Sequence, residues 1–149
     1  MGRRLPWIAV AGSRGGIACA LLLACFASGC TSMVSVKLYN NSDSVVRITA
    51  YNSTHTVGQG DVREFGWPSR GGEFEIANRE RVLRFRGPGM EQVPEAYCSG
   101  PGDACGLRLQ LDSDRLISIL LPRQEWPIPR FASQPLGFPL APREAAPGR

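Results

Sequence analysis

A single histidine, His55, and a single lysine, Lys37, stand in the whole 149-residue chain, and the first scarcity excludes much chemistry. A Ser/His/Asp arrangement has only one imidazole to pass through, and no G-x-S-x-G elbow accompanies it. His55 sits in the polar stretch Asn52-Ser53-Thr54-His55-Thr56, which reads as a solvated loop. Carboxylates exist at Glu73, Glu75, Glu80 and Asp112, but all four read as exposed strand or turn positions. Nothing pairs two of them in apolar surroundings, as glycosidase chemistry needs. No window of useful length carries the periodicity of an amphipathic helix. No apolar run reaches the roughly 20 residues of a membrane span.

What is present is concentrated first in residues 1–30. Arg3, Arg4 and Arg14 form a positive leader free of acidic residues, followed by the apolar run Ile17-Ala-Cys-Ala-Leu-Leu-Leu-Ala-Cys-Phe26 and then Ala27-Ser28-Gly29-Cys30. Such a run suits the core of a signal peptide and is too short to cross a bilayer. Small residues leading directly into a cysteine resemble the lipobox of bacterial lipoproteins, in which signal peptidase II cuts before a cysteine whose sulfur carries diacylglycerol. The resemblance implies a signal peptide over residues 1–29, lipidation at Cys30 and a tether over residues 30–33. Ala27 stands where that pattern more usually has leucine, and Leu22-Leu23-Ala24-Cys25 is a competing site. Thr31 in place of aspartate implies delivery to the outer membrane, facing the periplasm, in a bacterium with two membranes. Two or three acyl chains on one terminus make attachment effectively permanent.

Cleavage there changes the charge and the cysteine count. The chain carries 17 basic and 13 acidic residues, a formal net charge of +4. Removing the three leader arginines leaves 14 against 13, or +1, so the basic balance belongs to targeting and no nucleic-acid footprint remains. Of five cysteines, Cys19 and Cys25 leave with the leader and Cys30 is lipidated. Cys98 and Cys105 remain, an even pair in a compartment where disulfides persist. The expected bond closes a Gly/Pro-rich loop and contributes on the order of 2–3 kcal/mol. Their spacing is wider than the C-x-x-C of redox pairs, and a zinc site lacks enough further ligands. No metal or cofactor is expected.

The mature region has the period of two that marks half-buried strands. Val34, Val36 and Leu38 alternate with polar neighbours, Asn40-Asn41-Ser42-Asp43 turns the chain, and residues 45–51 return as a second strand. A weaker strand covers 62–66. Phe74 and Ile76 alternate with Glu73 and Glu75, residues 81–86 pair back, Leu107, Leu109 and Leu111 alternate with Arg108 and Gln110, and residues 116–121 close the series. Six or seven short strands with tight turns predict an all-β domain over 34–121, a small antiparallel sandwich or barrel. Between Gly87-Pro88-Gly89 and Gly100-Pro101-Gly102 lies a connection too broken for either regular structure. Arg79, Arg81, Arg84 and Arg86 share one hairpin, where Glu73, Glu75 and Glu80 are placed to neutralise them.

Residues 122–149 hold seven prolines, so this segment cannot be a central strand and is expected to run extended. It nevertheless carries Trp126, Ile128, Phe131, Leu136, Phe138 and Leu140. These apolar groups either cover an open face of the domain or form a strip for a partner, with Trp126, Phe131 and Phe138 as the candidate contacts. The functional expectation is a non-catalytic, lipid-anchored envelope module that binds, supports or assembles with another protein. An inhibitor or ligand-binding lipoprotein using the Cys98–Cys105 loop is the second reading. An enzyme with a site hidden from sequence is the third.

Overall fold

A computed structural model describes residues 32–100, 105–130 and 132–143; Cys25, Cys30 and Phe131 therefore lie outside the described residues. Among the described residues, eight strands form two four-stranded sheets. The first has the order β4 (Val62–Pro68), β1 (Met33–Asn41), β7 (Gly106–Asp112), β8 (Ile117–Leu120). The second has the order β3 (Ser53–Val57), β2 (Val46–Ala50), β5 (Gly72–Ala77), β6 (Val82–Gly87). Their inner faces meet in a sandwich, filled by the residues that alternation assigns inward. Val34, Val36 and Leu38 from β1 face Ile48, Phe74, Ile76 and Phe85 in one buried cluster. Within it the Phe74 ring meets Trp67 edge-on at 4.7 Å and lies stacked on Phe85 at 5.1 Å.

Two features differ from the expected six or seven antiparallel strands. The polar stretch around His55 is not a loop but strand β3, paired antiparallel with β2 from Val46↔Val57 to Ala50↔Ser53. It lies at a sheet edge, where only Val57 must be buried, so its alternation carries almost no hydrophobic signal. Thr54 and Thr56 supply β-branched propensity instead, and Thr54 Oγ1 lies 3.3 Å from Thr49 Oγ1 across the ladder. The second difference is that β1 and β7 run parallel, with Val36↔Leu107 and Leu38↔Leu109 in register. The long connection from β6 returns to the end of the sandwich where β1 begins, and β7 must start from there.

That connection is a lid on the core. Two single 3₁₀ turns, Met90–Gln92 and Glu95–Tyr97, interrupt it. Val93 and Cys105 are buried, and Met90, Tyr97 and Cys98 pack against the cluster. Cys98 and Cys105 are disulfide-bonded, with Cα atoms 4.9 Å apart. Ser99 N–H donates to the Gly106 carbonyl beside the bond. Gly87, at the head of the connection, lies buried against the Trp67 indole, and a Cβ there would fall inside the ring. Gly71, at φ +76°, passes against the backbone of Gly87, Pro88 and Gly89 with equally little room. Replacing Gly87 with Ala forces Trp67 out of its packing and is expected to cost about 3 kcal/mol. Urea denaturation checks this: a midpoint unchanged from the parent chain contradicts the packing argument.

Candidate functional site

The outer face of the first sheet is the most elaborated surface of the molecule. On β7 and β8 the outward residues Gln110, Asp112, Ser118 and Leu120 are all buried, because the proline-rich segment lies over them. Ile128 is the anchor. It sits between Pro127 and Pro129, which have no N–H to give, and its own N–H donates to Gln110 Oε1 at 2.8 Å. Gln110 Nε2 returns a bond to the Ile128 carbonyl at 3.0 Å and another to Asp112 Oδ1 at 2.9 Å. Asn41 Nδ2 also donates to that Asp112 oxygen, at 2.6 Å. The side-chain amide thus takes the place of a strand neighbour. Asp112, expected at an exposed turn, is instead a buried acceptor of two amide donors.

Further along, the segment caps both sheet edges on one side. Gln134 Oε1 accepts the Ile119 N–H at 2.7 Å, and Gln134 Nε2 donates to the Ile119 carbonyl at 3.2 Å. Leu140 and Ile117 exchange backbone bonds of 2.8 and 3.0 Å. Arg143 N–H then donates to the Arg84 carbonyl on β6 at 2.7 Å, so one short stretch touches the edge of each sheet. Of the two sequence readings of this segment, these contacts belong to covering the domain. Trp126 is half-buried: it stacks on Tyr39 at 5.9 Å, lies under the Arg108 guanidinium at 3.8 Å, and donates from Nε1 to the Leu109 carbonyl at 3.3 Å. Phe138 is half-buried against the core. Leu136, by contrast, is 98% exposed, on a turn closed by the Phe138 N–H to Pro135 carbonyl bond of 3.0 Å.

Beside Trp126 the covering segment leaves a cleft of about 460 Å³ lined by Ser35, Lys37, Glu64, Arg108, Pro122 and Trp126 among others. Its charges are engaged. Arg108 Nη1 donates to the Pro122 and Gln124 carbonyls, both at 2.6 Å. Glu64 accepts from Ser35 Oγ at 2.5 Å and faces Lys37 Nζ at 3.8 Å. A second cleft, of about 320 Å³, opens at the far end of the sandwich between the turns at 42–45, 78–81 and 113–116, with Asp43, Arg81 and Arg115 on its rim. Below it Asn40 is fully buried. Its Nδ2 donates to the Ser44, Val57 and Gly58 carbonyls and its Oδ1 accepts from the Ser42 N–H and hydroxyl.

The remaining candidates are not brought together. The His55 ring is half-buried and stacks on Phe65 at 5.8 Å, with no carboxylate hydrogen bond among the described residues. The hairpin arginines meet acids as expected in part: Arg84 Nε binds Glu75 Oε1 at 2.9 Å, Arg81 lies 3.4 Å from Glu80, and Arg86 sits opposite Glu73 in register. Among the described residues no group of three or more His, Cys, Asp or Glu side chains could hold a metal. No buried side-chain nitrogen or oxygen there lacks a hydrogen-bond partner. Comparison with protein-family models, curated proteins and solved structures finds no match.

The residues that organise this surface, Gln110, Gln134 and Asn40, were not candidates from sequence. The geometry of Gln110 and that of Asp114 each make a prediction. Gln110→Leu strands the Ile128 N–H and carbonyl without partners and should cost about 2–4 kcal/mol, read as a lower urea midpoint. An unchanged midpoint would show that water replaces both bonds. The second concerns Asp114, which binds Arg130 Nε at 2.8 Å and the Leu116 N–H at 3.1 Å. Burial pushes its carboxyl up, but these bonds outweigh burial and hold it below the ordinary value of 3.8. A group with a depressed folded pKa adds stability above its unfolded pKa and loses it as pH falls through the folded one. Asp114→Asn should therefore lower the melting temperature at neutral pH and have little effect at pH values well below 3.8.

Proposed function

We propose that the chain is a non-catalytic lipoprotein of the bacterial cell envelope, anchored through Cys30 to the periplasmic face of the outer membrane, whose β-sandwich binds or supports another protein. The observation that carries this reading is the sequence Ala27-Ser28-Gly29-Cys30 standing just before a strand that begins at Met33. The leader, the small residues, the cysteine and an autonomous domain then follow in the order a lipoprotein requires. The oxidised Cys98–Cys105 pair supports an extracytoplasmic compartment. Support for a binding role comes from how the polar groups are used: Asn40, Arg108, Gln110 and Asp112 hold the domain's own backbone, while Leu136 stands almost wholly in water on a braced turn.

Metabolic labelling with a fatty acid tests the anchor: Cys30→Ser should abolish the label, and a label that persists moves the site to Cys25. For the binding role, deleting residues 122–149 is uninformative, because that segment also closes the sheets. Leu136→Asp leaves the fold contacts intact. It should release a stoichiometric partner crosslinked in detergent extracts while the unfolding free energy stays within about 0.5 kcal/mol of the parent. Retention of the partner by this variant removes the turn from the interface.

A further inference from the structure

We infer that the end of the sandwich where β1 begins rests against the phospholipid headgroup surface and that the opposite end is displayed. The inference rests on lipidation at Cys30 as proposed above. Two peptide units join Cys30 to Ser32, which allows at most about 7 Å between their Cα atoms. Ser32 has no slack of its own. Its carbonyl accepts the Ser69 N–H at 2.9 Å and its hydroxyl lies 2.6 Å from that of Ser69. A lipid on Cys30 therefore draws the β4–β5 turn, Ser69-Arg70-Gly71, to the headgroups together with the first residues of β1. Strand directions place the β2–β3 turn at the same end, since β2 and β4 both descend toward it while β1 and β5 rise from it.

This end presents groups that suit a wet, half-apolar boundary. Tyr51 is 62% exposed at the tip of the β2–β3 turn, and its φ of +52° is a conformation that bulky residues rarely adopt. Strain of this kind is retained where the surroundings impose it and often where function uses it. A tyrosine has the apolar ring and polar tip enriched at membrane interfaces. Met33 is 42% exposed at the foot of β1. The charges at this end are mixed, with Arg70 exposed alongside Glu91 and Glu95 of the disulfide-bonded connection. The contact is thus made by tether length and interfacial side chains, and should be equally strong on zwitterionic and anionic surfaces. Nine residues of β1 span roughly 30 Å, so the cleft between the turns at 42–45, 78–81 and 113–116 stands that far from the bilayer.

Fluorophores on the full lipidated chain at Asn52→Cys, Arg70→Cys and Ser113→Cys provide the test. The chain is placed on phosphatidylethanolamine–phosphatidylglycerol vesicles containing a headgroup-nitroxide lipid. Probes at 52 and 70 should be quenched several-fold more than the probe at 113. Equal quenching, or stronger quenching at 113, on chains that float with the vesicles overturns the orientation while leaving the anchor in place. Failure of the unsubstituted chain to float overturns the anchor, and the orientation with it. Hydrogen exchange on the unsubstituted chain guards against misfolded variants: amides at 51–53 and 70–71 should slow on vesicles relative to the Cys30→Ser chain in solution, and those at 113–115 should not. Uniform slowing, or none, counts against the proposal.

Discussion

A sheet edge buried without hydrogen-bond partners is untenable, and in this molecule the segment that covers two such edges is the one least able to supply backbone bonds. The ladder beyond β8 is therefore assembled from side chains. Gln134 offers its amide to both backbone groups of Ile119, and Gln110 does the same for Ile128 from the opposite direction. Each carboxamide has the donor and acceptor spacing of a peptide group, which lets it replace one rung without a second strand. True backbone pairing returns between Leu140 and Ile117, and again between Arg143 and Arg84 on β6. The burial of Leu120, Ser118 and Asp112 follows from this covering, because without it their faces of β7 and β8 open to water.

The same dependence explains what could be read in the sequence. Alternation in residues 34–38, 74–76 and 107–111 identified the inner face correctly, since period two reports which side a residue points to. It does not report what lies beyond that side. Gln110 and Asp112 alternate with leucines and so read as solvent-facing, yet a distant segment covers them. One local clue exists: Leu116-Ile-Ser-Ile-Leu-Leu121 is a nearly continuous apolar run, the pattern of a strand buried on both faces. Strand β3 escaped for the opposite reason. An edge strand that buries one valine has no hydrophobic rhythm to detect, and its polar, short form is how edges are protected from further pairing. The disulfide was legible because cysteine arithmetic needs no geometry. The parallel pairing of β1 and β7 was not, because it depends on which end of the sandwich the irregular connection crosses.

The two ends of the sandwich are sealed by different means. Where β1 begins, an apolar lid of Met90, Val93 and Tyr97 is held to the core by the Cys98–Cys105 bond and by Gly87 lying flat under Trp67. At the other end the core gives way to Asn40, whose side chain ties the β1–β2 turn to the end of β3 through three carbonyls. The first end is thus held by a covalent staple and an apolar lid. The other end is held by a polar plug, with Asn40 fixing the β1–β2 turn from below.

This division bears on how such a domain can bind. Groups usually read as functional, a tryptophan beside an arginine and a buried carboxylate beside amides, are here committed to the fold: Arg108 grips two carbonyls and stacks on Trp126, while Asp112 receives Asn41 and Gln110. Withdrawing any of them to meet a ligand leaves buried donors or acceptors unpaired, at about 1–3 kcal/mol each, so recognition through these groups is costly. Groups that can be buried at little internal cost are those with nothing to give up. Leu136 on its braced turn is one. On the binding role proposed above, recognition then rests on shape and apolar contact presented from a rigid frame, with the proline-rich segment held at Ile128, Gln134, Leu140 and Arg143 and its Leu136 side chain 98% exposed.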